Sequence, residues 1–386
     1  MTLADPDLTR LALLPAGLSD LLPAEAEHQA HVIEKLMAAF TAQGYERVEP
    51  PLVEFEDSLL ATATQSITNQ TFRLMDPVSQ RMMGVRADLT LQVARIAASR
   101  MGHCPRPLRL AYAGDVLRVK GSQLRPERQF VQCGVELIGV DCVAADVEII
   151  RLAADALRDL GLKGLTIDLN AAPLVQAVCD AHGITGAPAT ALRAALDRKD
   201  ASEVASLAGP AADALAGLLA ATGMARAVMP LLAGLDLPPR AHEPRQRLLE
   251  TAAQILAALP DLVLTIDPVE NRGFEYYTGV GFTLFARNVR GEIGRGGRYV
   301  AGDGEPGCGV SMFLDSVLRA LPPLAPVPRM FLPYGTAHGV GHALRQQGYV
   351  TIAGLAPVSD LEAEARRLGC DHVLSDGRVV EVGRQS

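Results

Sequence analysis

"LRVKGSQLRPERQFVQCGVELIG", residues 117–139, decides how the rest of the chain is read. In a strand, side chains point alternately to the two faces. Val131, Cys133, Val135 and Leu137 then make one continuous apolar face, and Phe130, Gln132, Gly134, Glu136 and Ile138 make the other. An amide and a carboxylate flanking a glycine is more than a solvated face requires. Glycine weakens a strand and often marks a place where something approaches the backbone closely. The preceding "PLRLAYAGDVLRV" (107–119) reads as a partner strand, joined to the first through the basic loop "KGSQLRPE" (120–127). Arg118, Lys120, Arg125 and Arg128 are then either an ordinary solvated cluster or a grip for an anion such as phosphate.

A second stretch, "NRGFEYYTGVGF" (271–282), follows the same alternation. Read as a strand, it puts Tyr276, Thr278, Val280, Phe282 and Leu284 on one face. Tyr277, Gly279 and Gly281 lie on the other, a phenol beside nearly bare backbone. The spacing predicts that something small lies against that backbone.

Around these stretches, residues 24–43 place Val32, Ile33, Leu36, Met37 and Phe40 at helical spacing, and Gly44 supplies the stop. "YERVEPPLVEF" is strand-like but broken by Pro50-Pro51. Residues 143–160 read as a helix, with Asp141, Asp146 and Glu148 expected to complement its dipole. From about 172 to 258 the chain turns alanine- and leucine-rich, a helical insert with breaks expected at Gly209-Pro210 and Gly223. "PPLAPVP" (322–328) reads as a linker between a domain spanning 1–321 and a short α/β unit at 329–386.

The 386 residues suffice for two or three domains; 49% are apolar and 21% charged, as expected of a chain with a large core. Lys plus Arg number 36 against 44 Asp plus Glu, a net charge of −8, which argues against a large nucleic-acid-binding surface. Six scattered cysteines without a C-x-x-C spacing are expected as reduced core residues of a cytosolic protein. No basic start with a long apolar run and no stretch of about 20 uncharged apolar residues is evident, so the expected location is the cytoplasm and no membrane contact is expected.

The ordered series "GLSDLLP" (17–23), "GYERVEPPLVE" (44–54), "VRADLTLQVAR" (85–95), the 117–139 stretch, "RGFEYYTGVGF" (272–282) and "GRGGRY" (294–299) resembles the catalytic domain of histidyl-tRNA synthetase, over roughly residues 15–170 and 260–320. The resemblance implies an α+β fold: a class II aminoacyl-tRNA synthetase-like antiparallel sheet with flanking helices, a helical insert and a small C-terminal α/β unit. It also implies that Gln132, Glu136, Tyr277 and Tyr299 hold histidine, that Asp88 accepts from the α-ammonium and that Arg272 lies near the carboxylate. Thr90, Arg118 and Tyr276 complete the implied ligand set.

Departures from the synthetase pattern decide the expected function. In "GVSMFLDSVL" (309–318), Phe313 stands where the resemblance expects a glycine, Asp315 at a glutamate and Ser316 at an ATP-holding arginine. Lys120 replaces the acid of an Arg-x-Glu pair. A charged hydrogen bond is worth about 1.5–3 kcal/mol, and each loss of about 1.4 kcal/mol from a transition state slows a reaction tenfold. Several such losses imply that aminoacylation is absent.

A chain that keeps the amino-acid side and loses the nucleotide side is similar to the regulatory-subunit paralogues of ATP phosphoribosyltransferase. That likeness implies a non-catalytic subunit binding histidine without a cofactor or metal, a hetero-oligomer with the short-form catalytic subunit, and a self-dimer through the 24–43 helix and the strand after it. The partner interface is expected in the helical insert or residues 1–20. An active histidyl-tRNA synthetase and another synthetase-derived RNA-binding or sensor module remain as alternatives. "GDGEPG" (302–307) is expected to be a connecting loop rather than a dinucleotide site, and "HGVGH" (338–342) lacks a third metal ligand nearby.

Overall fold

The computed structural model describes residues 13–122, 125–270, 276–302 and 304–382. The chain divides into two compact units between Pro322 and Pro323. Strands of the first unit, in chain order, are β1 (Glu46–Arg47), β2 (Val53–Phe55), β3 (Phe72–Met75), β4 (Met82–Val85), β5 (Leu108–Leu117), β6 (Gln129–Ile138), β7 (Leu165–Ala171), β8 (Gly223–Met224), β9 (Val263–Ile266), β10 (Val280–Ala286), β11 (Gly294–Val300) and β12 (Pro306–Phe313). Nine of them form one sheet in the order β1-β5-β6-β12-β11-β10-β7-β9-β8. Pairing is antiparallel except for β1 with β5 and β7 with β9. β2, β4 and β3 make a separate antiparallel sheet.

The alternation along β6 sorts its side chains as the sequence predicts. Val131, Cys133, Val135 and Leu137 join the main core, with residues of the helices Pro23–Ala42, Val143–Asp159 and Pro239–Ala258. Phe130 and Ile138 join a second cluster on the opposite face, with Leu89, Tyr112, Tyr299 and Phe313. The polar members of that face, Gln132 and Glu136, are completely buried.

The insert is helical from Ala172 to Ala258, with a 3-10 turn at Gly209–Ala211 and the two-residue β8 at Gly223. One run in it, Ala201–Ala220, is apolar and long enough to cross a membrane. The 3-10 turn interrupts that run, and its Val204, Ala208, Leu215 and Leu218 pack in the main core.

Three expectations change. The strand expected from Tyr276 begins only at Val280, so Tyr276 and Tyr277 precede it. The space beside its glycines is taken by the protein itself: a Cβ on Gly279 would lie 3.1 Å from the Arg298 side chain, and Gly281 pairs with Gly297, on which the Tyr277 ring rests. Asp146 stands in the first turn of the helix Val143–Asp159, as expected, and arginines hold all three of Asp141, Asp146 and Glu148. Asp146 pairs with Arg298 at 2.7 Å and Arg247 at 2.9 Å, Asp141 with the same two arginines, and Glu148 with Arg109 at 2.8 Å. Among the cysteines, Cys142 is exposed and Cys104 half-buried; the other four are buried.

The second unit contains β13 (Arg329–Leu332), β14 (Val350–Ala353), β15 (His372–Ser375) and β16 (Arg378–Glu381), in the order β14-β13-β15-β16. β13 runs parallel to both neighbours, and β16 returns antiparallel to β15. The helix Leu361–Arg367 contributes Ala365 to a cluster with Phe331 and Val373, whereas the helix His338–Gln346 contributes Leu344 to one with Met330 and Leu332.

Candidate functional site

A cavity of about 460 Å³ opens on the sheet face opposite the main core. Its floor is unusually bare. In register across four strands, Glu136 of β6 faces Gly309 of β12, Gly309 faces Gly297 of β11, and Gly297 faces Gly281 of β10. A Cβ at Gly309 would lie 1.8 Å from Glu136 Oε2, and one at Gly297 2.7 Å from the Tyr277 ring. These glycines leave room for a carboxyl and a phenol laid flat on the sheet.

The polar wall is a connected set. Tyr299 and Tyr112 donate to the two oxygens of Glu136, at 2.8 and 3.1 Å. Tyr112 also meets Ser311 Oγ at 2.8 Å. Gln132 Nε2 donates to Ser311 at 2.6 Å and to Asp88 at 3.1 Å, while Gln132 Oε1 accepts the Leu89 N–H at 2.9 Å. Asp88 accepts the Thr90 N–H at 2.9 Å. Burial, with Asp88 adding to it, pushes the Glu136 carboxyl up to about 8 against the opposing pull of its hydroxyl donors. Burial likewise raises the Tyr276 and Tyr277 phenols. Tyr276 stacks on Tyr299 at 5.1 Å between ring centroids.

The other end of the cavity carries Arg118 and Arg295. Arg118 donates to the Ala87 carbonyl at 3.3 Å and sits 5.0 Å from the Phe130 ring centroid. Burial lowers its guanidinium to about 10, against the pull of Asp88. Arg295 pairs with Glu292 at 3.0 Å. Phe313 lines this end, set edge-on to Phe130 at 5.8 Å, and Arg125 lies 3.8 Å from the Phe313 centroid. Arg125 is also paired with Asp315 at 3.5 Å, so this cation is covered by an aromatic ring and matched by a carboxylate.

Of the residues singled out in the sequence, Asp88, Thr90, Arg118, Glu136, Tyr276, Tyr277 and Tyr299 line one cavity, with Phe313 at its edge. Gln132 lies directly behind, joined through Asp88 and Ser311. Lys120 is exposed, and Ser316 is buried against Asp315 and Arg319, neither lining the cavity. Arg272 lies outside the described residues. Tyr112, Ser311 and Arg295 are additions that sequence reasoning missed. The signal for two of them was Gly134: Tyr112 and Ser311 sit opposite it on either side, and a Cβ there would lie 2.5 Å from the Tyr112 hydroxyl.

The mostly antiparallel sheet that carries this buried acid, amide and phenols over a glycine floor has the class II synthetase-like fold, and the histidyl-tRNA synthetase family model matches residues 17–317. Similarity over the whole chain is more specific. The chain is 56% identical to the ATP phosphoribosyltransferase regulatory subunit of Rhodospirillum centenum, covering 98% of each, and 46% identical to that of Gluconobacter oxydans, covering 95% of this chain and 96% of the relative. It belongs to the family of ATP phosphoribosyltransferase regulatory subunits. Among solved structures, an ATP phosphoribosyltransferase regulatory subunit/histidyl-tRNA synthetase from Bacillus halodurans C shares the fold, with a TM-score of 0.80 at 24% identity over 92% of this chain and 96% of that one. The ATP phosphoribosyl transferase (HisG:HisZ) complex from Thermotoga maritima contains a chain matching with a TM-score of 0.59 at 18% identity, over 74% of this chain and 97% of that one.

Proposed function

We propose that this regulatory subunit binds histidine in the Glu136 cavity, catalyses no aminoacylation, and carries histidine feedback to a short-form ATP phosphoribosyltransferase catalytic subunit at the first step of histidine biosynthesis. The observation that carries the reading is the unequal fate of the two ends of one cavity. At the amino-acid end, the donor and acceptor set suits histidine: Glu136 for the imidazole N–H, Asp88 and Gln132 around the α-ammonium, and flat rings over glycine, with Arg118 reaching in from the other end toward the carboxylate. At the other end Phe313 fills space beside Arg125, and Ser316 supplies no cation for a triphosphate. Adenylation depends on preorganised positive charge around the phosphates, and this arrangement lacks it at those positions.

The same reading assigns the chain to a hetero-oligomer with the catalytic subunit and to a self-dimer through the helix Pro23–Ala42, in the cytoplasm. Calorimetry on the purified chain tests the ligand: histidine binds and ATP does not. ATP–pyrophosphate exchange that depends on histidine would return the chain to the synthetases.

A further inference from the structure

The two carboxyls of the cavity are joined by hydrogen bonds, and the joint is Ser311. The direction of the chain is fixed at its Asp88 end. Because Gln132 Oε1 takes the Leu89 N–H, Gln132 Nε2 must face Ser311 and Asp88. An amide nitrogen only donates, so Ser311 Oγ accepts there. Its own proton is left for the Tyr112 hydroxyl at 2.8 Å or, over a longer 3.5 Å, for Thr90.

Tyr112 also has a single proton. When Ser311 donates to it, Tyr112 turns that proton to Glu136 Oε1, while Tyr299 supplies Oε2. Both oxygens of an ionised Glu136 are then satisfied. A proton on Oε1 reverses the link: Glu136 donates to Tyr112, and Tyr112 donates back to Ser311 at 2.8 Å or to Thr90 Oγ1 at 3.3 Å. Along the shorter of these, Ser311 receives two donors and keeps only the long contact to Thr90 for its own hydrogen.

We infer that Ser311 is a positioning residue that couples the two ends of the cavity: by donating to Tyr112 while accepting from Gln132 it favours an anionic Glu136 and holds Gln132 against Asp88. The ligand class this fits is an α-amino acid whose side chain carries its own N–H donor, one donor group for each carboxyl. The inference rests on the histidine reading above for the ligand, but not for the role of Ser311 itself. The titratable groups facing Glu136 are Tyr112 from β5, Tyr299 from β11, Asp88 from the turn before the helix Thr90–Ser99, Tyr276 and Tyr277 from the segment before β10, and Cys308 from β12. Ser311 links Glu136, through Tyr112, to the amide holding Asp88, and Thr90, 3.3 Å from the Tyr112 hydroxyl, touches the same chain without touching Gln132.

The test is an infrared titration of the free full-length protein, with the Glu136 carboxylic-acid band assigned by its disappearance in Glu136→Gln. Ser311→Ala should raise the midpoint by about half to one pH unit, the scale of one neutral hydrogen bond, and Ser311→Thr should restore it. In the same proteins, saturating histidine should lower the midpoint. Ser311→Ala should weaken histidine binding about three- to tenfold near pH 7 and progressively less toward pH 9, where Glu136 is ionised in both. A midpoint unchanged in Ser311→Ala, no restoration by threonine, or an equal loss of affinity at every pH would overturn the role given to Ser311. A midpoint that responds to Ser311→Ala but not to histidine would overturn the histidine reading and leave the role of Ser311 standing.

Discussion

Glu136 carries a cost that the fold accepts. Its carboxyl is completely buried and is raised from 4.5 to about 8, chiefly by burial. Between those values the folded chain holds a proton that the unfolded chain has lost, so stability falls as pH rises across that window and levels off above it. Glu136→Gln removes the titration. Relative to the wild type, it should gain stability with pH between about 5 and 8, by at most about 1.4 kcal/mol per pH unit. Urea midpoints at pH 5, 6.5 and 8 read the trend, and a constant difference would show that the group is not raised. The companion residue is Gly309. Gly309→Ala would push a methyl to 1.8 Å from Glu136 Oε2 and 2.7 Å from the Val135 carbonyl, and the second of these is backbone that cannot swing away. The expected loss is about 1–3 kcal/mol of stability, with histidine affinity falling about tenfold as the carboxyl is displaced; calorimetry reads both.

At the scale of elements, the cavity stands on a buried ion cluster behind it. Arg298 of β11 donates to Asp146 in the helix Val143–Asp159 and to the Val140 and Cys142 carbonyls, and Arg247 of the helix Pro239–Ala258 reaches the same Asp146. Asp146 therefore ties the strand that carries Tyr299 to two helices of the main core. Asp146→Ala leaves the buried Arg298 with the Val140 and Cys142 carbonyls and, as its one remaining carboxylate among the described residues, the longer 3.4 Å pair to Asp141, and should cost about 3–5 kcal/mol, with Asp146→Asn milder. A lowered urea midpoint at unchanged slope is the expected result; a loss below about 1 kcal/mol would mean the cluster is not a structural tie. These elements also show what the sequence made legible. The two faces of β6 follow from period-two alternation, which needs no knowledge of neighbours. The breaks in the insert follow from glycine and proline chemistry. Ser311 and the Asp146 cluster were hidden because each depends on strand register or on helix-to-sheet packing between residues about 100 to 200 positions apart, which no local pattern encodes, and Tyr112 because its place opposite Gly134 depends on the register of β5 against β6. Gly134 and Gly281 advertised close approach, but not that the protein's own side chains and backbone were what approached.

For the whole molecule, feedback is a statement about two ligands rather than one. If histidine in this cavity inhibits a bound catalytic subunit by disfavouring its substrates, the substrates must disfavour histidine by the same factor, because both effects are one coupling free energy. Typical couplings span about 5- to 150-fold, well within calorimetric resolution. The measurement is histidine affinity for the assembled complex, with and without saturating substrate of the catalytic subunit, beside substrate affinity with and without histidine. Equal factors are expected. Glu136→Gln should weaken histidine binding and shift feedback to higher histidine concentration while the complex stays assembled, since Glu136 is enclosed within the first unit and exposes no surface to a partner. If histidine inhibited the complex while its affinity for this cavity was indifferent to substrate, or if Glu136→Gln left the inhibition curve unmoved, the feedback would have to enter through a site on the catalytic subunit, and the cavity described here would be a histidine site without a regulatory role.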